Sequence, residues 1–286
     1  MFIRLIHATF SANLGGYMKT ATDAILTIET VMLKSRNLKR DVELRFYFPN
    51  IITDWSALPL LLINDGQDLP VMQFDEMLKQ LYEQGSIHPL IVIGITAGKE
   101  RTMEYGVAGV VDYKGRGAKA DLYSAFVLKE LLPYTKKRFK VSAFKELSFA
   151  GFSLGGLTAL DIVWNHPDVF SKVGVFSGSL WWRSVDQDDP SYEDDKHRIM
   201  QQVIRNGHFA PGLKFFFQCG KLDESGDRNN NGIIDSIDDT LDHIKELLAK
   251  GYRAEDISYL ELDDGKHDVP TWGKAMPVFL KWGWGK

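Results

Sequence analysis

The sequence predicts an α/β protein built on a mostly parallel, eight-stranded sheet with helices on both faces and antiparallel edge strands at its N-terminal side. Three observations carry this. "LPLLLIND" and "LIVIGIT" are apolar at nearly every position, as strands covered on both faces must be. From there to the C-terminus short apolar runs alternate with amphipathic stretches of helical period, which implies right-handed strand-helix-strand crossovers. Ahead of them, "AILTIETVML" and "RDVELRFYFP" alternate apolar with polar residues, the pattern of two neighbouring strands that each show one face to water.

The elements follow in order. Residues 1–23 read as a weakly ordered tail, and 24–286 as a single domain that opens with the two edge strands. "FDEMLKQLYEQG" is an amphipathic crossover helix closed by glycine. A long helix is expected over about 119–139, where Leu122, Phe126, Leu128, Leu131 and Leu132 form a stripe. Then come strand "KELSFAG", helix "LGGLTALDIVWNH", strand "KVGVFSG", and an insertion at about 184–212 that begins with the acidic "DQDDPSYEDD" and includes a helix near Ile199. Strand "KFFFQCG", helix "SIDDTLDHIKELLAKG", strand "ISYLEL" and a helix after Pro270 complete the chain.

Composition narrows the function. The 286 residues are 44% hydrophobic and 12% aromatic, enough for a substantial core. The formal charge of −4 is spread along the chain with no dense basic block, so nucleic acid is not an expected partner. No stretch reaches the roughly 20 apolar residues of a spanning helix, so no membrane association is expected. The start is a poor secretory leader, which makes cytoplasmic placement the expectation, with secreted or periplasmic placement left open. One cysteine, Cys219, allows no intrachain disulfide. Oligomeric state is not legible.

The chemistry begins at "FAGFSLGGLTAL". Gly151, Phe152, Ser153, Leu154 and Gly155 form a G-x-S-x-G pattern on a strand-to-helix turn, which lifts the serine onto a strained backbone at the helix N-terminus. A serine hydroxyl is a weak nucleophile until a base takes its proton and a carboxylate orients that base. Of seven histidines, His267 alone stands in a loop after the last strand, in "DDGKHD". After "FFFQCG", "KLDE" offers Asp223 as the acid, with Glu224 as the alternative. The backbone amides of Gln67, in the loop after a buried early strand, and of Leu154 are the expected oxyanion donors.

"LLLINDGQDL", "ERTMEYG", "ADLYSAFVLKELLPYTKKRF", "GFSLGGLTAL", "FSGSLWWR" and "GKHDVPTW" together resemble the esterase branch of the α/β-hydrolases, which includes feruloyl esterases, enterochelin esterases, S-formylglutathione hydrolases and mycolyltransferases. The resemblance spans about residues 24–286. It implies Ser153 as nucleophile, His267 as base and Asp223 as acid, and it sets Trp181, Trp182, Arg101 and Tyr105 near the substrate cleft.

A second pattern lies in "DRNNNGIIDSID". Asp227, Asn229, Asn231, Ile233 through its carbonyl, Asp235 and Asp238 match the ligand spacing of a twelve-residue calcium loop, with glycine at the sixth place. The last ligand is aspartate where glutamate is usual, and no helix precedes the loop.

The expected activity is hydrolysis of a small-molecule carboxylic ester through an acyl-enzyme, with no cofactor in the chemistry and a structural calcium beside it. Alternatives are an acyltransferase using the same three residues and a catalytically silent, calcium-stabilised binding protein.

Overall fold

The computed structural model describes residues 19–22, 25–50 and 52–286. The strands are β1 (Lys19–Thr22), β2 (Leu26–Ser35), β3 (Arg40–Pro49), β4 (Leu60–Asn64), β5 (Ile91–Ile95), β6 (Leu147–Phe152), β7 (Lys172–Phe176), β8 (Lys214–Leu222) and β9 (Ile257–Lys266). They form one sheet in the order β1-β2-β3-β5-β4-β6-β7-β8-β9. The first four in that order pair antiparallel, and from β5 onward every pair is parallel. All eight expected strands are present. The ninth, β1, falls within the stretch assigned to the tail, because Lys-Thr-Ala-Thr carries no apolar run to announce a strand. The remainder of that tail lies outside the described residues.

The helices are α1 (Phe74–Glu83), α2 (Arg101–Glu104), α3 (Ala120–Phe126), α4 (Leu132–Phe139), α5 (Leu154–Asn165), α6 (Asp194–His197), α7 (Ile199–Asn206), α8 (Asp235–Lys250) and α9 (Val269–Trp284). The single helix expected over 119–139 is α3 and α4 joined by one π turn, Val127–Leu131. Pro133, in the first turn of α4, lacks an N–H and crowds the carbonyl four residues back, so a wider turn relieves the ladder there.

Alternate residues of each central strand enter two cores. Leu60, Leu62, Phe149, Val173, Phe215 and Phe217 pack with residues of α3, α4, α5, α7 and α8. Leu61, Ile63, Ala150, Phe152 and Phe216 pack with α1 and α9. That two-sided burial is why these strands are apolar throughout. It also leaves the carboxyl ends of β4, β6, β7, β8 and β9 side by side, and every candidate catalytic residue follows one of those ends. Among the described residues no helix is long and apolar enough to cross a membrane.

Candidate active site

Ser153 connects β6 to α5 with φ 53° and ψ −122°, a region that residues other than glycine seldom occupy. Neighbouring groups force it there. A Cβ on Gly151 would stand 2.3 Å from the carbonyl oxygen of Gly155, so the two arms of the turn meet only because position 151 is glycine. The Ser153 amide donates to the Phe176 carbonyl (2.9 Å), and the Ser153 carbonyl accepts from the amide of Ser179 (3.1 Å). The Ser153 and Ser179 hydroxyls lie 3.4 Å apart.

The loop after β4 is held against the start of α5. The Asn64 side chain donates to the Gly155 carbonyl (2.8 Å) and accepts from the Tyr123 hydroxyl (2.6 Å). Asp65, with φ 57° and 2% exposure, accepts a bidentate ion pair from Arg101 at 2.7 and 2.8 Å. A Cβ on Gly155 would come within 2.5 Å of the Asp65 carboxylate. Among the described residues the backbone amides of Gln67 and Leu154 donate to no acceptor, and both leave elements that converge on Ser153.

β8 and β9 bring the acid and the histidine together. Gly220 rests on Gly265 so closely that a Cβ on Gly220 would sit 2.4 Å from the Gly265 carbonyl. Beyond that contact Leu222 pairs with Lys266, so Asp223 and His267 leave the two strands at the same level. Both carboxylate oxygens of Asp223 are shut off from solvent and accept no hydrogen bond of good geometry. Burial pushes its carboxyl above the usual range, against the pull of the Gly220 amide, the Ser177 hydroxyl and His267. Among the described residues the His267 imidazole has no hydrogen-bond partner. Its ring stands edge-on to Trp272 (5.4 Å), which stacks on Phe152 (5.1 Å), the residue before Ser153. Desolvation lowers the pKa of the imidazole; Asp223 raises it and Arg101 lowers it further.

Glu224 is exposed and, like Asp223, has a raised pKa, first through desolvation and then through Asp235, Asp239 and Asp223. The four cleft residues divide. Arg101 stands at the site and Trp181 is half-buried beside it, whereas Tyr105 and Trp182 are both 0% exposed. These two are therefore corrected from lining to backing: Tyr105 holds its hydroxyl 3.3 Å from the Asp65 amide, and Trp182 packs beneath Gly106 and Gly117.

The loop over 227–238 is internally bonded. Asp227 accepts from the amides of Asn231 (3.1 Å) and Gly232 (2.9 Å), Gly232 has φ +83°, and the side-chain amides of Asn229 and Asn231 both meet Asp238 Oδ2 (2.6 and 3.1 Å). Asp235 instead faces Arg228 (3.1 Å), while the Ile233 amide donates to Asn231 (2.8 Å). Among the described residues no group of three or more His, Cys, Asp or Glu side chains is set to hold a metal.

Asp65, Ser177, Ser179 and Trp272 were not singled out from the sequence. The polar pair Asn64-Asp65 ending a buried strand was the available signal for the first. The others reveal themselves only through contacts across the sheet edge, such as the Trp272 indole donating to the Ser177 hydroxyl (3.0 Å).

A strained serine on a strand-to-helix turn, at the carboxyl edge of a mostly parallel sheet covered on both faces, defines an α/β-hydrolase. Residues 35–282 match the family model described as "Putative esterase". The chain belongs to that family. Among relatives it is 26% identical over 245 residues to the uncharacterized protein YbbA of Bacillus subtilis (strain 168), covering 83% of this chain and 90% of that one. The fold is shared with the enterobactin esterase FES of Shigella flexneri (21% identity, TM-score 0.67, 89% of this chain), of which the chain spans only 57%. A ferulic acid esterase aligns with TM-score 0.64 at 18% identity over 91% of this chain and 98% of its own.

Proposed function

We propose that the protein is a serine esterase acting through an acyl-enzyme on Ser153, His267 and Asp223. The observation that carries this is the Leu222–Lys266 pairing, which releases Asp223 and His267 side by side while Trp272 links the histidine to the serine turn. The hydroxyl proton of Ser153 passes to His267 as Oγ bonds to the ester carbonyl carbon. The negative charge that develops on the carbonyl oxygen is met by the free amides of Gln67 and Leu154, each such donor contributing about 2.7–4 kcal/mol to the transition state. The carbon–oxygen bond to the alcohol then breaks and His267 returns the proton to the departing oxygen. Water, deprotonated by the same imidazole, releases the acid. Asp223 orients the imidazole and stabilises its charged form.

No cofactor enters these steps. For the loop over 227–238 we propose a structural calcium, supported by the spacing of Asp227, Asn229, Asn231, Ile233, Asp235 and Asp238 and by the glycine turn at Gly232.

Ser153→Ala and His267→Ala are each expected to lower kcat on p-nitrophenyl acetate by about 10³-fold or more with unchanged circular dichroism. A fluorophosphonate should label the parent chain and not the Ser153→Ala variant. Full turnover in that variant overturns the assignment.

A further inference from the structure

A cavity of about 210 Å³ is lined by the cations Lys114, Arg116, Arg183 and Arg228, by Tyr113 and Trp181 as flat faces, and by the carboxylates Glu224 and Asp235. Two of these residues tie it to the chemistry. Trp181 is two residues beyond Ser179, whose hydroxyl is 3.4 Å from that of Ser153, and Glu224 follows Asp223 directly. Two chain steps span at most about 7.6 Å, which bounds the Cα separation of Ser179 and Trp181 and keeps the cavity on the same side of the sheet edge as Ser153.

The wall is not neutralised evenly. Arg116 is committed to Asp112 (2.7 Å), and Arg228, which also borders the cavity, to Asp194, Asp235 and Asp239. Lys114 and Arg183 have no carboxylate partner among the described residues. Arg183 donates to the Gln187 side chain (2.5 Å), and its Nε, buried from solvent, donates to nothing. A buried guanidinium N–H without an acceptor is costly, and an anion is the partner that repays it best. The aromatic faces are arranged for the same guest: Arg116 and Arg183 lie over the Trp181 ring at 5.2 and 5.6 Å, and Lys114 over Tyr113 at 5.1 Å. An acid that enters the cavity can pair with these cations while they remain over the rings. Glu224 and Asp235 also border the cavity; Asp235 is paired with Arg228, so an anion is repelled chiefly where it nears Glu224.

We propose that this cavity is an anion subsite, and that the substrates are esters carrying a carboxylate or similar acidic group a few bonds from the scissile carbonyl. This rests on the esterase reading for its connection to Ser153 and on the charge pattern for its specificity.

Two matched pairs of substrates test it and locate the anion. Mono-4-nitrophenyl glutarate against 4-nitrophenyl valerate puts the charge on the acyl side; 4-acetoxybenzoate against phenyl acetate puts it on the alcohol side. In one pair the anionic ester is expected to have a kcat/KM at least about tenfold higher. Lys114→Gln/Arg183→Gln is expected to bring that ratio to near one through KM, and added salt should erode it in the parent chain. No preference in either pair, or one that survives the double substitution, overturns the proposal. Hydrolysis that persists in Ser153→Ala would instead strike the esterase reading. Binding then decides the subsite alone: 4-hydroxybenzoate should quench tryptophan fluorescence in Ser153→Ala and bind about tenfold more weakly once Lys114 and Arg183 are also replaced, and equal binding overturns it.

Discussion

The charge of Arg101 lies close enough to His267 to change its titration. The guanidinium is held by Asp65 and stands over Tyr105 at 5.1 Å, and it disfavours the imidazolium, reinforcing the desolvation that already lowers the histidine. Catalysis needs the neutral imidazole, so activity rises as pH climbs through its pKa. Removing the guanidinium takes away one repulsion and leaves the Asp65 carboxylate unpaired, and both changes favour the protonated ring. Arg101→Gln is therefore expected to move the acid limb of the kcat profile to higher pH, while Arg101→Lys leaves it near its place. An unmoved limb in a folded Gln variant rejects this coupling. Ser153 and His267 could be picked out of the sequence because their local settings, a glycine-flanked turn and a loop after the last strand, identify them. For Asp65 the sequence offers only a polar pair at the end of a buried strand, and its pairing with Arg101, 36 residues away, has no local mark.

Elements rather than single side chains decide whether those residues meet. The N-terminus of α5 approaches the β4 loop only because Gly155 has no Cβ to strike Asp65, and the ends of β8 and β9 close only through the Gly220–Gly265 contact. The loop over 227–238 is a third such joint. It runs from the acid-bearing end of β8 into α8, and Arg228 ties it to α6 and α8 through Asp194 and Asp239. An ion bound only in the folded loop stabilises the whole chain: at one hundred times its Kd by about 2.7 kcal/mol, or roughly 5–10 °C in Tm for a chain of this size. Calcium is expected to raise Tm by that order and a chelator to reverse it, with Asp238→Asn abolishing the response. A Tm indifferent to both calcium and chelator in the parent chain removes the ion from this loop.

Over the whole molecule, the sheet was legible because two-sided burial writes itself as uninterrupted apolar runs, and the antiparallel strands because one-sided burial writes itself as alternation. β1 was missed since a four-residue edge strand needs neither pattern, and the π turn since Pro133 acts through a ladder that sequence periodicity averages over. Long-range charge placement is equally silent. Arg198, 1% exposed, pins the segment after the acidic stretch to Asp239 and Asp242 of α8, and no local signal marks that pairing. Asp161 is another such case, with a consequence for global stability. It lies on α5 at 1% exposure, accepting from the Ala108 amide (3.0 Å) and the Asn165 side chain (2.9 Å), with no ion-pair partner among the described residues. Burial raises its pKa from the ordinary 3.8 to about 7 although both hydrogen bonds pull the other way. Between those values the folded chain keeps a proton that the unfolded chain has lost, so stability falls as pH rises from about 4 to about 7, and above that the full cost of the buried charge is present. Asp161→Asn keeps an oxygen for the Ala108 amide and stays neutral. It is expected to gain about 1–3 kcal/mol over the parent at pH 8 and to match it near pH 4, read as a Tm difference that opens with pH. A difference of the same size at both pH values would mean that Asp161 is already ionised when the chain folds in acid, and that its hydrogen bonds outweigh its burial.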